Sequence, residues 1–123
     1  MPPVDENESL EPAEIGLGPV LAALADPLRR RVIAELARAP AGTERTCASF
    51  GLPVAKATLT HHFRVLRRAG LIRQTDRGNC RTAGLRRAEI EAKLPGLLAL
   101  IVAEESADPA GEGAPEPRRT ALP

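Results

Sequence analysis

The chain's 123 residues allow one domain, and with two Phe as the whole aromatic complement any core must be built from Leu, Val, Ile and Ala, which favours helices. The formal net charge of +1 hides a strong segregation: residues 1–26 carry six acids and no Lys or Arg, residues 27–87 carry fourteen basic residues against Glu35, Glu44 and Asp76 (net +11), and residues 88–123 carry three basic residues against seven acids (net −4). A cationic module between acidic flanks argues for a polyanionic partner, nucleic acid first. No targeting or spanning segment is visible: the start is acidic and no run approaches the ~20 apolar residues of a membrane helix, so the expected location is cytoplasmic.

Prolines concentrate near both ends among acidic and small residues. Residues 1–13 therefore read as a disordered acidic tail, 14–105 as the folded domain, and 106–123 as a disordered Pro-rich tail. Within the domain, Ile15, Leu17, Val20, Leu21 and Leu24 support a short first helix from Ile15 to Ala25, with Pro19 near its start. Asp26 followed by Pro27 is an N-cap and N1 pair that opens a second helix to about Ala39. Leu28, Val32, Ile33 and Leu36 share its apolar face, and Pro40, Ala41 and Gly42 end it. Thr43 to Phe50 is expected to form one short helix, capped by Thr43 or Thr46, with Cys47 and Phe50 facing inward.

After the Gly51, Leu52, Pro53 break, the segment AKATLTHHFRVLRRAG predicts a helix over 55–69 stopped by Gly70. Leu59, Phe63 and Leu66 follow i, i+4, i+7 spacing and form one core stripe. The opposite side carries Ala57, Thr60, His61, Arg64 and Arg68, with Lys56 and Arg67 on the flank. A cationic, donor-rich face suits the major groove, where phosphates attract and base edges accept hydrogen bonds. Two helices joined by a short turn, the second with this face, make a helix-turn-helix. Leu71 to Thr75 and Cys80 to Leu85, separated by Asp76, Arg77, Gly78 and Asn79, read as a hairpin. Placed after such a helix the hairpin is a wing, offering Arg73, Arg77 and Arg81 to phosphates or a narrow minor groove.

The segment AEIEAKLPGLLALIVAEE begins with a helical turn and restarts at Leu94 and Pro95. Its continuation is apolar nearly all round, which calls for burial on two sides. Packing against the first helix and against the copies of both helices in a second subunit would provide it, giving a homodimer. The fold class is thus mainly α with a small β-hairpin, a winged helix-turn-helix, dimeric through its N- and C-terminal helices.

The segments LADPLRRRVIAELA, LTHHFRVLRRAGLI and RQTDRGNCRTAGL resemble the ArsR/SmtB family of winged-helix transcription regulators, with its "L-x-D-x-x-R" helix entry and "[ST]-H-H-[FL]-x-x-L-x-x-A-G-L" recognition helix. The resemblance covers about Leu21 to Val102. It implies a homodimer, operator DNA as partner, and control by a metal or another inducer. Carried over position by position, it puts groove contacts at Lys56, Ala57, Thr58, Thr60, His61 and Arg64. Similar sequences often begin this helix with Ser where this chain has Ala55, a cap worth about 1 kcal/mol; any phosphate contact made there would pass to Thr58 or Lys56.

The family's metal motifs are missing. The paired cysteines ahead of the recognition helix are reduced to Cys47, and the C-terminal helix has no His. Cys47 and His62 remain candidate ligands, joined across a dimer by carboxylates such as Asp5 and Glu8, but the spacings of ordinary zinc sites are absent. His62 reads first as a packed, hydrogen-bonded histidine and Cys47 as a buried structural thiol, with redox sensing by Cys47 or Cys80 as an alternative. No cofactor is identified. No glycine-rich phosphate loop, G-x-S-x-G, H-E-x-x-H or buried carboxylate pair supports an enzyme. The expected function is a sequence-specific transcriptional regulator that binds an inverted-repeat operator as a homodimer. The alternative is a winged-helix protein-interaction module that does not bind DNA itself.

Overall fold

The computed structural model describes residues 13–107. In chain order the elements are α1 (Leu17–Leu24), α2 (Pro27–Arg38), β1 (Glu44–Thr46), a one-turn 3-10 helix (Cys47–Phe50), α3 (Lys56–Arg68), β2 (Ile72–Asp76), β3 (Arg81–Leu85), α4 (Arg87–Lys93) and α5 (Leu97–Ala107). The tails expected at 1–13 and 106–123 lie outside the described residues, apart from residues 13, 106 and 107.

Local chemistry sets most of these boundaries. Asp26 Oδ1 accepts from the amides of Leu28 (2.8 Å) and Arg29 (3.1 Å), so α2 starts with two of its orphan donors satisfied. Burial works to raise the Asp26 carboxyl's pKa, but these amide bonds, seconded by the Arg29 charge, outweigh it, and the group is held below its usual range. α3 ends in a Schellman arrangement: Gly70 N–H donates to Arg67 O at 3.0 Å and Leu71 N–H to Leu66 O at 3.1 Å. Gly70 has φ 87°, and a Cβ there would fall 2.8 Å from Ile15 Cγ1 and 3.1 Å from Glu14 O. Glycine is required both for the left-handed turn and for the chain's N-terminal segment to cross it.

The core is built as the aliphatic composition requires. Val20, Val32, Ile33, Leu36, Phe63, Leu66, Leu71, Ile72 and Ile90 are fully buried. Phe50 and Phe63 meet at 5.5 Å between ring centroids, and the Arg45 guanidinium covers the Phe50 ring at 4.0 Å.

Two expectations need correction. The stretch from Thr43 to Phe50 is not one helix: Glu44–Thr46 is a strand, and only Cys47–Phe50 turns, as a 3-10 helix. β1 pairs antiparallel with β3 (Glu44↔Gly84, Arg45↔Ala83, Thr46↔Thr82), making a three-stranded sheet in the order β1-β3-β2 instead of a bare hairpin. The partner lies far along the sequence, so no local pattern announces it. Gly84 is the one sequence trace, because a Cβ there would sit 3.3 Å from Thr43 O, and a glycine inside a strand marks close backbone approach.

The second correction concerns α5. Within the chain it lies along α2, whereas α1 packs on α2 and α3. Arg30 Nε to Glu105 Oε2 (3.1 Å) and Arg38 Nη2 to Ser106 Oγ (3.0 Å) tie α5 to α2. Leu98 and Ile101 are buried, but Leu100 is 62 % exposed, so a single chain covers only one side of this helix.

Candidate nucleic-acid interface

α3 divides as its periodicity demands. Phe63 and Leu66 are buried and Leu59 half-buried, while Lys56, Ala57, Thr58, Thr60, His61 and Arg68 are exposed and Arg64 is half-exposed. The helix KATLTHHFRVLRR contains no acid, so nothing on it competes for its own cations. Ala55 stands at the N-cap with no side-chain hydrogen bond to the first-turn amides. The amide donors of that turn are not occupied by a capping side chain, as anion contact at a helix start requires.

The wing contributes a second surface. Asp76 Oδ1 accepts from Gly78 N–H at 3.0 Å and Arg77 N–H donates to Cys80 O at 2.8 Å, which sets the turn between β2 and β3. In the register Arg73↔Gly84, Gln74↔Ala83 and Asp76↔Arg81, cross-strand partners share a face. Arg81 therefore stands on the same side as buried Gln74, facing α3, and Arg73 stands on the other. Arg73 is exposed there, with its Nη2 3.5 Å from Glu89. Arg77, at the tip, donates to Glu44 Oε1 at 2.7 Å, and Thr82 Oγ1 donates to the same oxygen at 2.8 Å. The Arg77 bond, seconded by Thr82, holds the Glu44 carboxyl below its ordinary range.

Between α3, the 3-10 turn and the wing lies an open cleft of about 430 Å³, with Lys56, Thr60, Arg64 and Arg81 along its walls. Leu59, Phe63 and Cys47 form its apolar part. Six of the ten expected contact residues (Lys56, Ala57, Thr58, Thr60, His61, Arg64) thus belong to one exposed stretch of helix. Arg68 continues it, Arg81 faces it across the cleft, Arg77 caps the wing tip, and Arg73 points elsewhere.

The metal candidates are not brought together. His62 is buried, and Arg29 Nη1 lies 3.1 Å from its Nδ1; arginine can only donate, so that ring nitrogen is the acceptor. Cys47 is half-buried with Sγ 3.6 Å from Gln74 Nε2, and burial pushes its thiol pKa up. Among the described residues no group of three or more His, Cys, Asp or Glu could hold a metal ion. Asp5 and Glu8 lie outside them.

Much of the central positive charge is spent inside the molecule. Arg29 Nε donates to Ala23 O (2.7 Å), and Arg30 Nη1 to Leu24 O (2.8 Å) and Ala25 O (3.3 Å), closing the C-terminal end of α1. Arg87 donates to Leu36 O, Ala37 O and Ala39 O and closes α2 in the same way. Arg31 reaches Glu35 and Phe50 O, and Arg45 reaches Glu35 and Ser49 O. Arg86, 8 % exposed, joins Ala13 O (2.6 Å) to Gly70 O (2.9 Å). Arg67 is 3 % exposed and donates to Gln74 Oε1, linking α3 to β2. The flank position given to Arg67 by the helical projection is therefore corrected to an inward one. The signal was present, since Arg67 continues the Leu59 and Phe63 stripe at i+4, but a charged residue was not expected in it.

A family model described as a helix-turn-helix domain matches residues 24–75. The structure is similar to that of an ArsR family transcriptional regulator, with TM-score 0.55 and 25 % identity over 80 % of this chain and 98 % of the other. It is also similar to an ArsR-like transcriptional regulator from Rhodococcus sp. RHA1, with TM-score 0.51 and 26 % identity over 87 % of this chain and 92 % of the other. No curated protein matches the sequence. No helix among the described residues is long and apolar enough to cross a membrane.

Proposed function

We infer, from the premise that this chain is a winged helix-turn-helix transcriptional regulator of the ArsR family and binds DNA, that it reads an inverted-repeat operator as a homodimer. The observation that carries this reading is the acid-free outer side of α3, exposed from Lys56 to His61 and facing Arg81 of the wing across one cleft. In this reading Thr60, His61 and Arg64 meet base edges, with Lys56, Ala57 and Thr58 at the groove entrance and Arg68 on the backbone. Arg77 and Arg81 follow the adjacent groove or its phosphates. Arg73, on the far face of the sheet, would meet only a backbone that wraps around the wing.

The dimer rests on a separate observation. Leu17 and Leu21 on α1 are each 55 % exposed and Leu100 on α5 is 62 % exposed, all on the two terminal helices. Large apolar side chains gathered on terminal elements are what an isologous interface would cover. Twofold symmetry would then set two copies of α3 about 34 Å apart, matching half-sites one helical turn from each other. Control by an effector belongs to the same reading; Cys47 and His62 do not form its metal site, because each is engaged separately by Gln74 and Arg29. The regulator is not an enzyme.

The test is anisotropy titration of a labelled inverted-repeat duplex at several salt concentrations, with sedimentation of the free protein. A steep fall of affinity with salt and a dimeric free protein are expected. Salt-independent binding, or a monomer that binds a half-site as tightly as the full repeat, would overturn the reading.

A further inference from the structure

The two cysteines are far apart in sequence, yet both line the cleft between α3 and the wing. Thr46 pairs with Thr82, so Cys47, one residue past Thr46, and Cys80, two before Thr82, leave the β1–β3 ladder at the same end. Cys80 is near enough that its charge opposes ionisation of Cys47. We propose that Cys47 and Cys80 are a thiol pair that closes to an intrachain disulfide on exposure to a peroxide, covalently joining the 3-10 turn to the wing and weakening duplex binding.

Their environments divide the labour. Cys80 is exposed in the turn, where a peroxide can reach it. Cys47 is half-buried, and burial disfavours its thiolate, which suits the second thiol better than the first. The Cys80 thiolate attacks one oxygen of hydrogen peroxide, breaking the O–O bond and giving a sulfenic acid and hydroxide, which takes up a proton as water. Cys47 sulfur then attacks the Cys80 sulfur, expelling the hydroxyl as a second water while the Cys47 proton goes to solvent or to that leaving group. Two thiols are oxidised and one peroxide is reduced.

Disulfide geometry requires the two Cα atoms within roughly 4.4–6.8 Å. Cys80 can meet it by a shift of the turn, since it lies outside the β2–β3 pairs, which end at Asp76↔Arg81. That shift would draw the wing toward the 3-10 turn and narrow the space between Arg81 and the Lys56, Thr60, Arg64 side. The effect on DNA rests on the proposed interface; the disulfide itself does not.

The test uses the reduced full chain treated with hydrogen peroxide, quenched with a thiol-blocking reagent, and examined by intact mass and peptide mapping. A mass lower by about 2 Da, with a Cys47–Cys80 cross-linked peptide and no blocked thiol, is expected. Cys47→Ser and Cys80→Ser should each abolish it, and peroxide should leave each variant's own duplex affinity unchanged. The oxidised parent should bind the inverted-repeat duplex about tenfold more weakly, with recovery on adding dithiothreitol. Two blocked thiols, sulfinic acid at Cys80 beside an intact Cys47 thiol, or a disulfide only between chains would refute the pair. A Cys47–Cys80 disulfide with unchanged affinity would refute its control of binding. Because the mass readout needs no DNA, failure of the duplex reading would not be mistaken for failure of the thiol pair.

Discussion

Replacing Arg64 by alanine tests the proposed reading most directly, because the structure separates its binding role from any structural one. Arg64 is half-exposed and, unlike Arg67 three residues on, it has no side-chain hydrogen bond or ion pair among the described residues. Its loss should therefore change folding stability by no more than about 0.5 kcal/mol, the usual range for surface substitutions. A bidentate arginine–base contact discriminates by about 1–3 kcal/mol, which is roughly 5- to 150-fold in specific affinity. Nonspecific binding should lose only the electrostatic share of one cation. Operator and scrambled duplexes of equal length, titrated by anisotropy at matched salt, give the ratio that matters, and thermal unfolding gives the control. An unchanged ratio of operator to scrambled affinity would show that Arg64 does not read bases. A large drop in melting temperature would show that its surroundings are misjudged.

Other expected outcomes test the scaffold. Leu100→Glu should convert a dimer to a monomer in sedimentation and reduce operator affinity more than half-site affinity, since it places a charge in the proposed apolar contact; an unaltered dimer would move the interface elsewhere. Gly70→Ala should destabilise the fold by about 1–3 kcal/mol in denaturant unfolding, because φ 87° is unfavourable for alanine and its Cβ would meet Ile15 Cγ1 at 2.8 Å. Asp26→Ala should cost about 1 kcal/mol near neutral pH through loss of the α2 cap. The folded Asp26 carboxyl lies below its ordinary 3.8, so its contribution is full above that pH and is lost as the pH falls through the depressed folded value. Parent and variant stabilities should then differ by a constant amount above about pH 5 and converge in acid. A gap that persists unaltered at low pH would refute the capping explanation.

The elements themselves were readable because their signals are local. Asp26–Pro27, the Leu59, Phe63 and Leu66 stripe, Gly70 and the Asp76–Asn79 turn each act on the few residues around them, through amide capping, side-chain period or permitted φ. Those signals established α1, α2, α3, the wing and the outward side of α3. The exposed contact candidates on α3 followed from the same period, since a helix that buries one stripe must show the opposite one to solvent.

Charge was a different matter. The sequence determined that residues 27–87 hold a surplus of arginine, but only tertiary structure decided which guanidinium groups face outward. Arg29, Arg30 and Arg87 satisfy carbonyls left over at helix ends, and Arg67 and Arg86 are held inside by Gln74, Ala13 and Gly70. A long side chain with several donors goes to whatever acceptor the folded chain leaves unpaired, and which acceptors those are depends on packing between distant segments. β1 and the meeting of Cys47 with Cys80 in one cleft share that dependence: each needs β3 alongside, a neighbour that no short window of sequence contains.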